Sequence, residues 1–144
     1  MADAFTTVLN ALSAKVGTVA GLAVVVEPSD PVPLEDLPAV AIWPGAFDLR
    51  EQVVGSDSWT WQFALTLTLR ADSSAALAGL RHAKLAELMA TLLADPTLGG
   101  VASDVRWLGG EQPANVDEGS YATEIDLAVE VDFATPERDP TSLL

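Results

Sequence analysis

From Trp59 to Arg70 the chain alternates without a break between two kinds of side chain. The odd positions are Trp59, Trp61, Phe63, Leu65, Leu67 and Leu69, and the even ones are Thr60, Gln62, Ala64, Thr66, Thr68 and Arg70. A period of two over twelve residues fits a β-strand with one buried and one wet face, and it excludes a helix. At about 3.3 Å per residue such a strand spans roughly 40 Å, twice the usual length. Strands this long commonly project from their domain as arms or pair with a neighbour.

A second alternation runs from Tyr121 to Phe133. Its odd positions are Tyr121, Thr123, Ile125, Leu127, Val129, Val131 and Phe133, and its even ones include Glu124, Asp126, Glu130 and Asp132. One face packs and the other is a ladder of carboxylates. Helical spacing appears twice. Residues 3–16 place Phe5, Val8, Leu9, Leu12 and Val16 on one stripe, with Asp3 as N-cap and Gly17 as stop. Residues 73–94 place Leu77, Leu80, Leu88 and Leu92 on one face, joined by Leu85, with Asp72, Ser73 or Ser74 as cap and DPTLGG as terminator.

The remaining segments are shorter. Residues 20–27 and 38–45 read as strands, the second bracketed by Pro38 and Pro44, and Val105–Leu108 as another. Residues 28–37 and 109–119 read as loops, and 46–57 as an extended arm or the first half of a long hairpin. The tail from Thr135 is Pro-rich and charged and is expected to be loose. The order gives an α+β fold: a mostly antiparallel β-sheet with long strands, flanked by two α-helices. One domain over 1–134 and a flexible tail over 135–144 account for the 144 residues.

Charge narrows the partners. Twenty-one acids against 7 bases leave a net charge of -14, which repels nucleic acid and anionic membranes. Asp3 stands where a secretory signal carries Lys or Arg, so no such signal is expected. The apolar run Val19–Val26 is too short to cross a bilayer and reads as a buried strand.

The search for chemistry returns little. There is no cysteine, no GxGxxG, no GxxxxGK[ST] and no GxSxG. His82 is the single histidine, lying between Arg81 and Lys84 on the second helix, and reads as a solvated or half-packed residue. Glu124 and Asp126 sit about 6.6 Å apart along a strand, a geometry that does not wrap a calcium ion. No catalytic residue, metal or cofactor is therefore expected, and the chain is read as a non-enzyme. Trp59 and Trp61 share a face with Phe63 and the leucines, which favours a core role, and beyond the domain edge they become subunit-interface anchors.

Taken together, the chain resembles the tail terminators of tailed phages, the minor tail or tail completion family. The resemblance lies in the leading helix, PAVAIWPG at 38–45, the strand 59–70, the helix ending in DPTLGG, the loop 109–119 and the closing strand ending in VDFAT. It implies a virion protein whose copies form a hexameric ring at the head-proximal end of the tail, after assembly in the host cytoplasm. Its partners are then other copies of itself, the tail tube protein and a head-completion or connector protein. DNA passes through the centre without specific binding, and no membrane is involved. On that basis Glu124, Asp126, Glu130 and Asp132 are expected to face the lumen or open solvent, and Trp59 and Trp61 a subunit interface. Three rivals remain: another connector, neck or tail-tube subunit; a small ligand-binding module gripping a hydrophobic molecule against helix 73–94; and a hydrolase using the acidic ladder.

Overall fold

The structure is a computed structural model that describes residues 3–29, 37–111, 114–115 and 121–144. Six strands form one sheet: β1 (Ala23–Val26), β2 (Ala39–Val53), β3 (Ser56–Ala71), β4 (Asp104–Gly110), β5 (Ala114–Asn115) and β6 (Tyr121–Pro136). Two helices, α1 (Ala4–Val16) and α2 (Ser74–Ala94), complete the α+β fold. The order across the sheet is β1-β2-β3-β6-β4, with β5 on β6 beside β4. Only β1 runs parallel to its neighbour β2, and the other pairings are antiparallel.

The alternation in β3 sorts the two faces as expected. Phe63, Leu65, Leu67 and Leu69 are fully buried, and with Val40, Ile42, Val129, Val131 and Phe133 they form the sheet side of the core. Burying each such side chain contributes about 1.5–3 kcal/mol. Val8, Leu12 and Val16 of α1 and Leu77, Leu88 and Leu92 of α2 close the core from above, while Leu80 and Leu85 are half-buried at its margin. Both helices thus cover one face. The other face carries Gln62, Ala64, Glu124 and Asp126 to solvent.

The capping chemistry holds. Asp3 accepts from the Thr6 amide at 2.7 Å at the start of α1, and Ser73 Oγ accepts from the Ala76 amide at 3.1 Å at the start of α2. After α2, Asp95 Oδ2 accepts from the Gly99 amide at 2.9 Å, and Gly99 and Gly100 turn the chain with φ of 73° and 94°.

The strand expected over 20–27 and read as buried is only Ala23–Val26, with exposed ends, and three further boundaries differ from the sequence reading. Residues 46–53 continue the strand at 38–45 as one β2, because bulges between Pro44 and Phe47 and between Leu49 and Glu51 let the ladder pass Pro44. The result is a hairpin with strands of 15 and 16 residues, turning at Val54-Gly55 where Gly55 has φ of 89°. Second, β6 continues to Pro136, and Thr135, the first residue of the expected loose tail, is wholly buried because it pairs with Asp57. Beyond it, the Arg138 amide donates to Asp57 Oδ2 at 3.0 Å and the Leu144 amide to the Ala134 carbonyl at 3.0 Å. Third, Gly109 and Gly110 of the expected loop 109–119 belong to β4, and Ala114–Asn115 form β5. Residues 112–113 and 116–120 of that loop, and 30–36 of the loop 28–37, lie outside the described residues.

Candidate functional site

Among the described residues, the uncovered sheet face, the turn end of the hairpin and a cleft under α2 are surfaces able to meet a partner. On the open face the carboxylate ladder splits in two. Glu124 and Asp126 stand opposite Thr68 and Thr66 on β3 and are exposed. Asp126 Oδ1 accepts from Thr66 Oγ1 at 2.9 Å. Glu130 and Asp132 depart from the expectation of a free acidic face. Glu130 is only 9% exposed, because Arg106 of β4, its partner in register, lies over it.

Arg106 is the residue that sequence reasoning missed. Its guanidinium donates to Asp104 Oδ2 at 2.9 Å, to Asp132 Oδ2 and Oδ1 at 2.5 and 3.0 Å, and to Glu130 Oε1. Thr60 Oγ1 donates to Asp132 Oδ1 at 2.8 Å and accepts from Arg50 Nε at 3.1 Å, which carries the network to β2. The hydrogen bond from Arg106, followed by that from Thr60, holds the Asp132 carboxyl below its usual range against the opposing effect of burial. The Arg106 guanidinium is correspondingly harder to deprotonate, chiefly through Asp132 and then Glu130. The available signal was the strand VRWL itself, where Arg106 alternates with Val105 and Trp107 and so shares the wet face of the ladder.

The tryptophans sit within their own chain. Trp61 is 7% exposed, packs on Phe5, Phe63 and Phe133 with ring centroids 5.1, 4.5 and 6.4 Å away, and donates Nε1–H to the Gly45 carbonyl at 3.2 Å. Trp59 is half-buried and donates to Thr135 Oγ1 at 3.0 Å. Phe5 of α1 reaches over the hairpin and covers Trp61, in keeping with the core role that its strand face favours. Apolar exposure appears instead on β2 and the turn: Phe47 is 56% exposed, Val53 48% and Val54 98%. β1 pairs with β2 only over Ala39–Ile42, so among the described residues the outer edge of β2 beyond Ile42 has no strand beside it.

The cleft lies between α2, the end of β4 and the first half of β6, with a volume of about 440 Å³. Its apolar wall is Leu85, Met89, Trp107, Ile125 and Leu127, and Arg81, His82 and Glu111 also line it. Trp107 Nε1–H reaches the Met89 carbonyl at 3.4 Å and ties β4 to the helix. Gly110 borders the cleft because a Cβ there would stand 2.7 Å from Leu127 Cδ2. Across the sheet from the cleft, Leu108, a bulge residue 49% exposed, lies with Ala64 and Ala128 in a shallower depression. Among the described residues no three His, Asp or Glu side chains converge as a metal-ligand set, and no helix is long and apolar enough to cross a membrane.

No protein-family model matches the sequence, and no curated protein matches it. Among solved structures, a chain in one titled "Virion of native gene transfer agent (GTA) particle" is similar to this one at 17% identity, with a TM-score of 0.32, over 92% of each chain.

Proposed function

We propose that this chain is a non-enzymatic structural subunit of a phage-type particle, a tail terminator whose copies form a ring on the end of the tail tube. The ring stops tube growth and presents a docking surface to the head-side connector. The observation that carries this is the long hairpin. Strands of 15 and 16 residues end in a turn whose Val54 is 98% exposed, next to the edge of β2 beyond Ile42, beside which no strand stands among the described residues. Exposed apolar groups on an open edge favour pairing with another chain, and a head-to-tail contact between copies gives a ring where the rotation closes. The net charge of -14 suits a conduit for DNA, since carboxylates repel phosphate. Glu124 and Asp126 are the part of the ladder left to do so.

The same charge opposes assembly, because six copies of -14 make -84. Rings are therefore expected to be weak at low salt and to strengthen as screening rises. Negative-stain microscopy and sedimentation over a salt series test the role. Closed rings support a terminator, long tubes favour a tail-tube subunit, and a monomer at every salt and concentration rules out both.

The cleft under α2 favours a second function, a module binding a small lipophilic molecule, since 440 Å³ lies within the range of about 300–1,000 Å³ of ligand sites. A rise in Tm with lipophilic compounds, together with persistent monomers, would establish that function in place of the ring.

A further inference from the structure

The hairpin tip lies at one end of the sheet and the cleft near the middle of β6. Leu127 lines the cleft, whereas Pro136 pairs with Ser56 beside the turn. Nine residues of β6 separate them, about 30 Å at the rise of a strand. The tip therefore cannot fill the cleft of its own chain, but it can fill that of a neighbour placed head to tail.

We propose that Val53 and Val54 of one copy seat in the cleft of the next, between α2 and the Trp107–Leu127 wall. This inference rests on the ring assembly proposed above and names the contact that builds it. Size, polarity and charge agree. The tip presents two adjacent valines on a turn, the more exposed at 98%. The cleft offers about 440 Å³ floored by Met89, Trp107 and Leu127. Beside the tip stand the exposed Glu51, Glu137, whose Oε2 accepts from the Gly55 amide at 3.2 Å, and the exposed Arg138, whose amide donates to Asp57. The cleft carries Arg81 and His82 beside a single acid, Glu111. Arg81 at this mouth can pair with an acidic side chain of the partner segment such as Glu51. A knob and a hole on different parts of one subunit make a heterologous contact, which closes into a ring when the rotation allows.

The chain has no cysteine, so engineered thiols report the contact without background. V54C and H82C are made separately and mixed under mild oxidation, with N10C on the exposed side of α1 as the off-site control. The proposal expects a reducible V54C–H82C heterodimer at least tenfold more abundant than V54C–V54C or V54C–N10C species. It also expects V54S, which keeps the net charge, to weaken self-association about tenfold with an unchanged circular dichroism spectrum. If the wild type forms rings and V54C links mainly to itself or equally to N10C, this contact is wrong and the ring stands. If the wild type stays monomeric up to about millimolar concentration and 1 M salt while oleate raises its Tm, both this contact and the ring are overturned.

Discussion

Replacing Arg106 with Met tests how the acidic face is held, because the methionine keeps the apolar stem while removing the cation. In the wild type that guanidinium reaches three carboxylates, Asp104, Glu130 and Asp132. Without it, the hydrogen bond left to the Glu130 side chain among the described residues is the one from Gln62 Nε2, at 3.5 Å. Removing one partner of a fully buried ion pair costs about 3–5 kcal/mol. Here the side chains of Arg106, Asp132 and Glu130 are 38%, 29% and 12% exposed, so solvent screening reduces the expected loss to about 2 kcal/mol. With a urea m-value of about 2 kcal/mol/M the unfolding midpoint drops by about 1 M. The pH dependence carries a sign. Asp132 has a folded pKa held down by Arg106, so its contribution is complete above the unfolded value near 4 and is lost as pH falls through the folded value. The gap between wild type and R106M should be full at pH 7 and narrow below about pH 4. A loss under about 0.5 kcal/mol, or a gap undiminished at acid pH where both proteins still fold, would show that the network does not hold the face.

Phe5→Ala removes the ring that touches Phe47, Trp59, Trp61 and Phe133 at 5.1–5.7 Å. It should cost about 2–3 kcal/mol and alter the tryptophan fluorescence, and unchanged emission would mean that α1 does not cover the hairpin. Gly110→Ala forces a Cβ to 2.7 Å from Leu127 Cδ2 and 3.2 Å from the Asp126 carbonyl; a loss of about 1–2 kcal/mol in thermal unfolding is expected. Gly55→Ala strains a turn at φ of 89° and should cost about 1 kcal/mol in urea melts. Light scattering across a salt series should show self-association increasing as repulsion is screened, and weakening with added salt would show that attractive ion pairs dominate instead.

How far the sequence reveals this fold depends on whether a segment's signal is local. β3 and α1 are legible because alternation, cap and stop lie within the segment: Trp59–Arg70 carries its own period, and Asp3 and Gly17 punctuate the first helix. β2 is only half legible. Pro44 looks like a stop, and DLREQ at 48–52 has no apolar period. The strand exists there because β3 holds it in register across two bulges. The short β1 lies parallel to β2, a fact of topology that four apolar residues cannot encode. At the candidate site the ladder was visible as four acids on one strand face, whereas its neutralisation was not. Arg106 lies 24 and 26 residues from Glu130 and Asp132, and only the β4–β6 register brings them together. Trp61 marks the same boundary. Its side of the strand was evident, but the covering ring of Phe5, 56 positions earlier, was not.

The split of the ladder changes what the acidic face can do. Arg106, and Arg50 through Thr60, draw Glu130 and Asp132 into a hydrogen-bonded stripe, so the charge of the carboxylates at that end of the sheet is partly offset. A subunit can pack against such a stripe without trapping bare carboxylates, which would cost several kcal/mol each if desolvated alone. Glu124 and Asp126 lack any such cation among the described residues and keep their hydration. In the ring proposed above, repulsion of phosphate would fall to the exposed Glu124 and Asp126, and the stripe held by Arg106 would be the part of the ladder that a neighbouring copy could cover. One strand can serve both roles because a single arginine on its neighbour separates them.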